Sequence, residues 1–107
     1  MTRDYEQNIA HQFFSIKPAD GRHMPAKILV VDDAPVNRRV LTSLLQPEGY
    51  VLLEAGNGQE AVDLALRALP DLIMLDISMP LMHGYEACSL LKQNTDSKNI
   101  PIRHYRI

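Results

Sequence analysis

Cysteine is nearly absent from the sequence, and so are the features that mark an exported or membrane-embedded chain. The single cysteine, Cys88, excludes a disulfide within the chain and fits a reducing compartment. No apolar run approaches the roughly 20 residues that a bilayer-spanning helix needs. The first residues, MTRDYEQNIA, carry acidic and amide side chains where a signal peptide has an apolar core. The sequence therefore predicts a cytoplasmic protein without a membrane partner.

A strong charge of either sign is also lacking. The chain has 11 Lys and Arg residues against 13 Asp and Glu residues, and its net charge of -2 gives no sign of nucleic-acid binding. Apolar residues make up 46% and charged residues 22% of the 107 residues, as in globular proteins. This length is enough for one small domain and not comfortably enough for two.

From residue 27 onward, apolar β-branched runs alternate with segments that have the apolar spacing of a helix. The run KILVVDD has no polar alternation, which is typical of a strand covered on both faces. Pro35 fits the first turn of the helix that follows, and Val36, Leu41 and Leu45 fall on its apolar stripe. Strands are predicted at residues 27–33, 50–55 and 71–76 and from residue 100 onward, and helices at residues 36–46, 58–69 and 85–93. This alternation predicts an α/β fold with a doubly wound parallel sheet.

Residues 1–26 stand outside this alternation and are predicted to be an N-terminal extension and linker. Tyr5, Ile9, Phe13 and Ile16 have near-helical spacing, which is typical of a short amphipathic helix. The alternative, an unstructured extension, is equally consistent with the sequence.

Acidic side chains end two of the predicted strands. Asp32 and Asp33 close the first strand, and Asp76 closes the third. An aspartate at a strand end is most often a helix cap or a solvated loop residue, but that interpretation does not explain acids on two strands. If the two strands are neighbours, the carboxylates meet at one edge of the sheet, where Mg²⁺ would offset their repulsion. Such a site contains its own nucleophile for phosphoryl transfer.

The stretches ILVVDD, EAGNGQEAVDLA, PDLIMLDISMPLMHGYE and IPI resemble the receiver domain of bacterial response regulators in two-component signalling. The resemblance covers residues 27–102 and implies a flavodoxin-like topology. It implies that Asp76 is the phosphoacceptor and lies at the Mg²⁺ site, that Asp33 binds Mg²⁺ directly, and that Asp32 helps through water or hydrogen bonds. Ser78 would contribute its backbone carbonyl to the metal. A histidine kinase or phosphotransfer protein would be the partner.

The sequence departs from the family pattern near its end. His83, which we interpret as an exposed loop residue, stands where the family often has an acid, and Arg106 stands where a phosphate-binding hydroxyl is expected. Arg103 and His104 are expected to interrupt an interior strand. The family's terminal helix–strand–helix, with a lysine that stabilises the phosphoryl group, does not follow in this sequence, so residues 27–107 are expected to form a receiver that is incomplete at its C-terminus. Losing one such donor typically costs roughly 2.7–4 kcal/mol of barrier, so phosphoryl transfer should be weakened.

Two functions are consistent with these features. The first is a phosphorylation-dependent receiver, which acts as a switch rather than as an enzyme. The second is a phosphorylation-independent interaction module that forms a homodimer through the incomplete edge of its sheet. An aspartate-nucleophile phosphatase of the haloacid-dehalogenase type is disfavoured, because Ser78 stands where that type needs a second acid.

Overall fold

The computed structural model describes residues 25–76 and 81–106, and within residues 81–85 it describes the backbone alone. These residues form a parallel four-stranded sheet and three α-helices in alternating order. The elements are β1 (Lys27–Val31), α1 (Pro35–Leu45), a short 3₁₀ turn (Gln46–Glu48), β2 (Val51–Ala55), α2 (Gly58–Ala68), β3 (Leu72–Asp76), α3 (Leu81–Gln93) and β4 (Ile102–Tyr105). The strand order is β2-β1-β3-β4, the start of the flavodoxin-like order. The predicted doubly wound α/β fold is confirmed.

β1 lies in the interior of the sheet and pairs with β2 on one side and β3 on the other. Its side chains from Ile28 to Val31 are fully buried, which explains why the run is apolar without alternation. In the register, Val31 stands beside Ala55 of β2 and Leu75 of β3. The three strands therefore end at the same level, and the residues that follow them share one edge.

α1 covers one face of the sheet. Pro35 occupies its first turn, as predicted, because that position needs no backbone N–H donor. Leu41 and Leu45 lie one turn apart and are fully buried against the strands. Val36 is 65% exposed, so its predicted place on the buried stripe is wrong. Leu41 and Leu45 lie on the side of the helix that faces the sheet, and Val36 lies on a different side.

α2 and α3 cover the opposite face, where they pack against each other and against the sheet. Asn57 caps α2, because its side-chain oxygen accepts a hydrogen bond from the Glu60 backbone N–H at 2.8 Å. α3 begins four residues earlier than predicted, at Leu81 instead of residue 85. The prediction placed Gly84 in the preceding loop, but the helix runs through it and buries Ala87 and Leu91 further along. Glycine disfavours a helix interior by about 1 kcal/mol, a preference that tertiary packing can override.

β4 pairs in parallel with β3 and borders no other strand among the residues that the structure describes. The expectation that Arg103 and His104 interrupt this strand is wrong, because β4 runs through both. Their side chains are exposed, one on each face of the sheet. Tyr105 points to the buried side and belongs to the apolar cluster under α1. The terminal helix–strand–helix predicted to be missing has no counterpart in the described ranges.

The predicted extension of residues 1–26 lies almost entirely outside the described residues, and its helix stays a prediction. Within the ranges that the structure does describe, no helix is both long and apolar enough to cross a membrane.

Candidate functional site

The three predicted acids meet at the carboxyl edge of the sheet. Asp32, Asp33 and Asp76 each place one carboxylate oxygen so that the three oxygens lie within 4.8 Å of one another. Asp32 and Asp33 directly follow β1, and Asp76 is the last residue of β3. Since β1 and β3 are parallel neighbours, both ends reach the same edge. Asp32 and Asp76 are buried, at 0% and 3% exposure, and Asp33 is exposed.

Asp32 is held by hydrogen bonds at both of its side-chain oxygens. Its Oδ1 accepts from the Ala34 backbone N–H at 2.9 Å, a contact that shapes the turn between β1 and α1. Its Oδ2 accepts from the Tyr105 hydroxyl at 2.8 Å. Its backbone N–H donates to the Ala55 carbonyl at 3.1 Å, which extends the β1–β2 pairing by one residue. Asp32 is therefore fixed in place from three directions.

Tyr105 is the site residue that the sequence interpretation missed. It stands opposite Asp76 in the β3–β4 register, and its hydroxyl reaches across to Asp32 and to the Val31 carbonyl, the latter at 3.2 Å. Burial, the hydrogen bond to Asp32 and the negative charges of Asp32 and Asp76 raise the pKa of the phenol well above its ordinary value, against the effect of Arg38. The hydroxyl therefore remains a donor. A tyrosine at the carboxyl end of a strand beside the acids was the signal available in the sequence.

Arg38 brings a positive charge to the same edge. It lies one turn into α1 and donates from Nη1 to the Asp32 backbone carbonyl at 2.6 Å. Its Nε pairs with Glu54 of β2 at 3.3 Å in a partly exposed ion pair. Gly56 leaves room for this guanidinium, since a Cβ at that position would stand 3.3 Å from Nη1. Arg38 thus ties α1 to the ends of two strands and partly offsets the acidic charge.

The donor set of the cluster fits a hard divalent cation. Two carboxylate charges within 4.8 Å of each other repel by at least about 3.5 kcal/mol at an effective dielectric constant of about 20. Carboxylate oxygens are the ligands that Mg²⁺ prefers, and one or two carboxylates with water complete its usual shell. Asp33 is the most accessible of the three acids and Asp76 ends β3 beside it, so these two would hold the ion, with Asp32 oriented behind them.

The remaining predicted site residues are placed less directly. Ser78 lies outside the described residues, so its carbonyl ligand stays a prediction. His83 falls within α3 instead of the predicted loop, and its side chain is outside the description. Arg106 follows β4 and is exposed. The hydroxyl that the structure brings to the acids belongs to residue 105.

A parallel sheet in this strand order, with a cluster of acids at its carboxyl edge, defines a class of flavodoxin-like α/β domains. Comparison with known proteins identifies the family. The sequence model of one protein family, the response regulator receiver domain, matches residues 28–104. The chain belongs to this family.

The chain is 43% identical over 79 residues to the response regulator PleD of Caulobacter vibrioides, covering 74% of this chain and 17% of PleD. It is 38% identical over 77 residues to the protein PilH of Pseudomonas aeruginosa, covering 72% of this chain and 64% of PilH. It also resembles the high-resolution structure of the chemotaxis response regulator CheY4 of Vibrio cholerae, with a TM-score of 0.70 and 34% identity, covering 76% of this chain and 68% of that one. The chain thus spans less than two thirds of the length of the two curated relatives.

Proposed function

We propose that the chain is a phosphoacceptor receiver module of a two-component system, which takes a phosphoryl group onto Asp76 from a histidine kinase or phosphotransfer protein. Mg²⁺ would be held by Asp33 and Asp76 and by the Ser78 carbonyl, with Asp32 behind them. The observation that carries the proposal is the meeting of the three carboxylates within 4.8 Å, at the carboxyl edge of a receiver sheet. The phosphoryl transfer would take place in the cytoplasm.

The proposed step is an in-line displacement at phosphorus. A carboxylate oxygen of Asp76 attacks, a new O–P bond forms, and the bond from phosphorus to the donor's nitrogen breaks. The leaving imidazole keeps the electron pair and takes up a proton, and the product is an acyl phosphate. When bound, Mg²⁺ supplies charge compensation for the transferring oxygens. Arg38 holds the turn that carries Asp32 and Asp33 through its bond to the Asp32 carbonyl.

The transfer should be slow compared with that of a receiver that has every phosphate-binding group. Position 106 carries an exposed arginine instead of the expected hydroxyl. The loss of one charge-stabilising donor typically lowers a rate about 10²–10³-fold. The proposed signal is the phosphorylation of Asp76 itself. We therefore propose that the module acts as a switch and not as an enzyme.

Intact-mass spectrometry tests this proposal. The chain is incubated with Mg²⁺ and acetyl phosphate, and Asp76→Asn and Cys88→Ala are treated alongside. We expect the mass of one phosphoryl group to be added to the unmodified chain and to Cys88→Ala, and to be absent in Asp76→Asn. A folded chain that gains no phosphoryl group, or an equal gain in Asp76→Asn, would refute the proposal.

A second candidate function is a phosphorylation-independent interaction module. The observation that favours it is the position of β4 as the last strand of the described sheet, where a strand from a second copy could be added. Light scattering at micromolar concentration distinguishes the two candidates. A dimer whose mass does not change with Mg²⁺ or acetyl phosphate supports the second function, and a monomer rejects it.

A further inference from the structure

We propose that Tyr105 is a positioning residue of the acidic site and sets its affinity for divalent cations by orienting Asp32. The inference rests on the proposed function, because it takes the acids to be the Mg²⁺ site. It assigns a role to a residue that follows the apolar IPI segment and lies one position before Arg106, where the family pattern places a phosphate-binding hydroxyl.

The hydroxyl of Tyr105 has one proton and two acceptors within reach. The distance is 2.8 Å to Asp32 Oδ2 and 3.2 Å to the Val31 carbonyl oxygen. A hydrogen bond to an ionised carboxylate is about twice as strong as one between neutral groups, and it is also shorter. Both the distances and the charge therefore direct the proton to Asp32.

The ring of Tyr105 is buried in the apolar core. It is 6% exposed and packs with Leu41, Leu45 and Met74 in the apolar cluster under α1. Because the ring cannot swing out without opening this cluster, the hydroxyl is fixed relative to the strands. Helix packing and the orientation of an acidic side chain are thereby linked through one residue.

The two hydrogen bonds of Asp32 leave it able to serve the metal. Ala34 N–H and the Tyr105 hydroxyl each take one lone pair, on different oxygens. A carboxylate has about four lone-pair positions, so one remains on each oxygen for metal or metal-bound water. Without the hydroxyl, Oδ2 loses its only hydrogen-bond donor among the residues that the structure describes, and the carboxylate can rotate more freely about its last bond. Loss of such an outer partner typically lowers metal affinity 10–100-fold.

The test measures metal binding and not phosphorylation. Free Mn²⁺ is counted by electron paramagnetic resonance during titration, and Mg²⁺ is then added as a competitor. The variants are Tyr105→Phe, Asp32→Ala and the double variant, with Tyr50→Phe as the matched control. Tyr50 packs on the same apolar cluster but precedes β2, at the opposite edge of the sheet from the acids.

We expect Tyr105→Phe to weaken Mn²⁺ and Mg²⁺ binding about 10-fold, and Tyr50→Phe to leave it unchanged. In the Asp32→Ala background, Tyr105→Phe should have no further effect, since its action passes through Asp32. Unchanged or tighter binding in Tyr105→Phe would overturn the inference while leaving the proposed function intact. Absence of binding in the unmodified chain would overturn both.

If Tyr105→Phe does not fold, the chain labelled with 3-fluorotyrosine provides a second measurement. The Tyr105 fluorine resonance, assigned by elimination with Phe variants of the other tyrosines, should shift when Mg²⁺ binds. The Tyr50 resonance should not. A Tyr105 resonance that ignores saturating Mg²⁺ would contradict the inference.

Discussion

Removing one charge from the acidic cluster should stabilise the metal-free chain. Asp76→Asn keeps the shape of the side chain and removes its repulsion with Asp32 and Asp33. Asp32 is buried and one of its carboxylate oxygens lies within 4.8 Å of one of Asp76, so the repulsion between the two charges is at least about 3.5 kcal/mol at an effective dielectric constant of about 20. Asp33 is exposed, so the dielectric constant of water applies to it, and its repulsion with Asp76 is about 1 kcal/mol. Existing hydrogen bonds and relaxation offset part of this sum, so we expect a net gain of about 1–3 kcal/mol in the free energy of unfolding.

Urea unfolding followed by far-UV circular dichroism measures this gain. In EDTA, Asp76→Asn should unfold at a higher urea concentration than the unmodified chain, with an unchanged slope. Mg²⁺ at 100 times its dissociation constant should stabilise the unmodified chain by about 2.7 kcal/mol. The same Mg²⁺ concentration should stabilise Asp76→Asn much less, because one ligand has lost its charge.

Asp63→Asn is the control, since Asp63 is an exposed acid on α2 that accepts a hydrogen bond from Gln59 and lies outside the cluster. Its stability should change little, and equally with and without Mg²⁺. If Asp76→Asn is less stable than the unmodified chain in EDTA, the acids do not repel one another as the structure requires. If it gains as much stability from Mg²⁺ as the unmodified chain, Asp76 is not a ligand of the ion.

Two further predictions concern residues away from the acids. Asn57→Ala removes the cap of α2 and should lower the free energy of unfolding by about 1 kcal/mol in urea titrations, whereas Asn57→Ser should restore most of it; equal stability of the two variants would contradict the capping role. Burial raises the pKa of the Cys88 thiol, an effect that nearby Lys92 partly opposes. At a given pH the folded chain holds less thiolate than a free cysteine, so iodoacetamide should modify Cys88 slowly in the folded chain and rapidly in concentrated urea. Equal rates in the two conditions would show that the thiol is not shielded.

The fold was largely predictable because its strands are short apolar runs with a single interpretation. The sequences of β1 and β3 show no polar alternation because both strands are buried, and Pro35 marks the start of α1. The cap that Asn57 provides for α2 was seen only in the structure. The start of α3 was not predictable from Gly84, since a local preference of about 1 kcal/mol is overridden by packing that depends on the whole fold.

The acids of the site could be predicted for a related reason. Their position depends only on two strands being parallel neighbours. The alternation of strands and helices indicates that the strands are parallel, and the structure shows that β1 and β3 are neighbours. The contact between Tyr105 and Asp32 is harder to predict. It depends on the register of β3 and β4, on the face of the sheet to which the ring points, and on the reach of the side chain. Arg103 and His104 stand out in the sequence as polar residues in a strand. The residue that contacts Asp32, however, is the buried Tyr105 beside them.

The most direct test of the account identifies the atom that carries the phosphoryl group. After incubation with Mg²⁺ and acetyl phosphate, the chain is reduced with borohydride, which converts an aspartyl phosphate to homoserine, and the peptides are sequenced by mass spectrometry. We expect homoserine at position 76, and only when Mg²⁺ is present. Homoserine at position 32 or 33, or at position 76 to the same extent in EDTA, would contradict it.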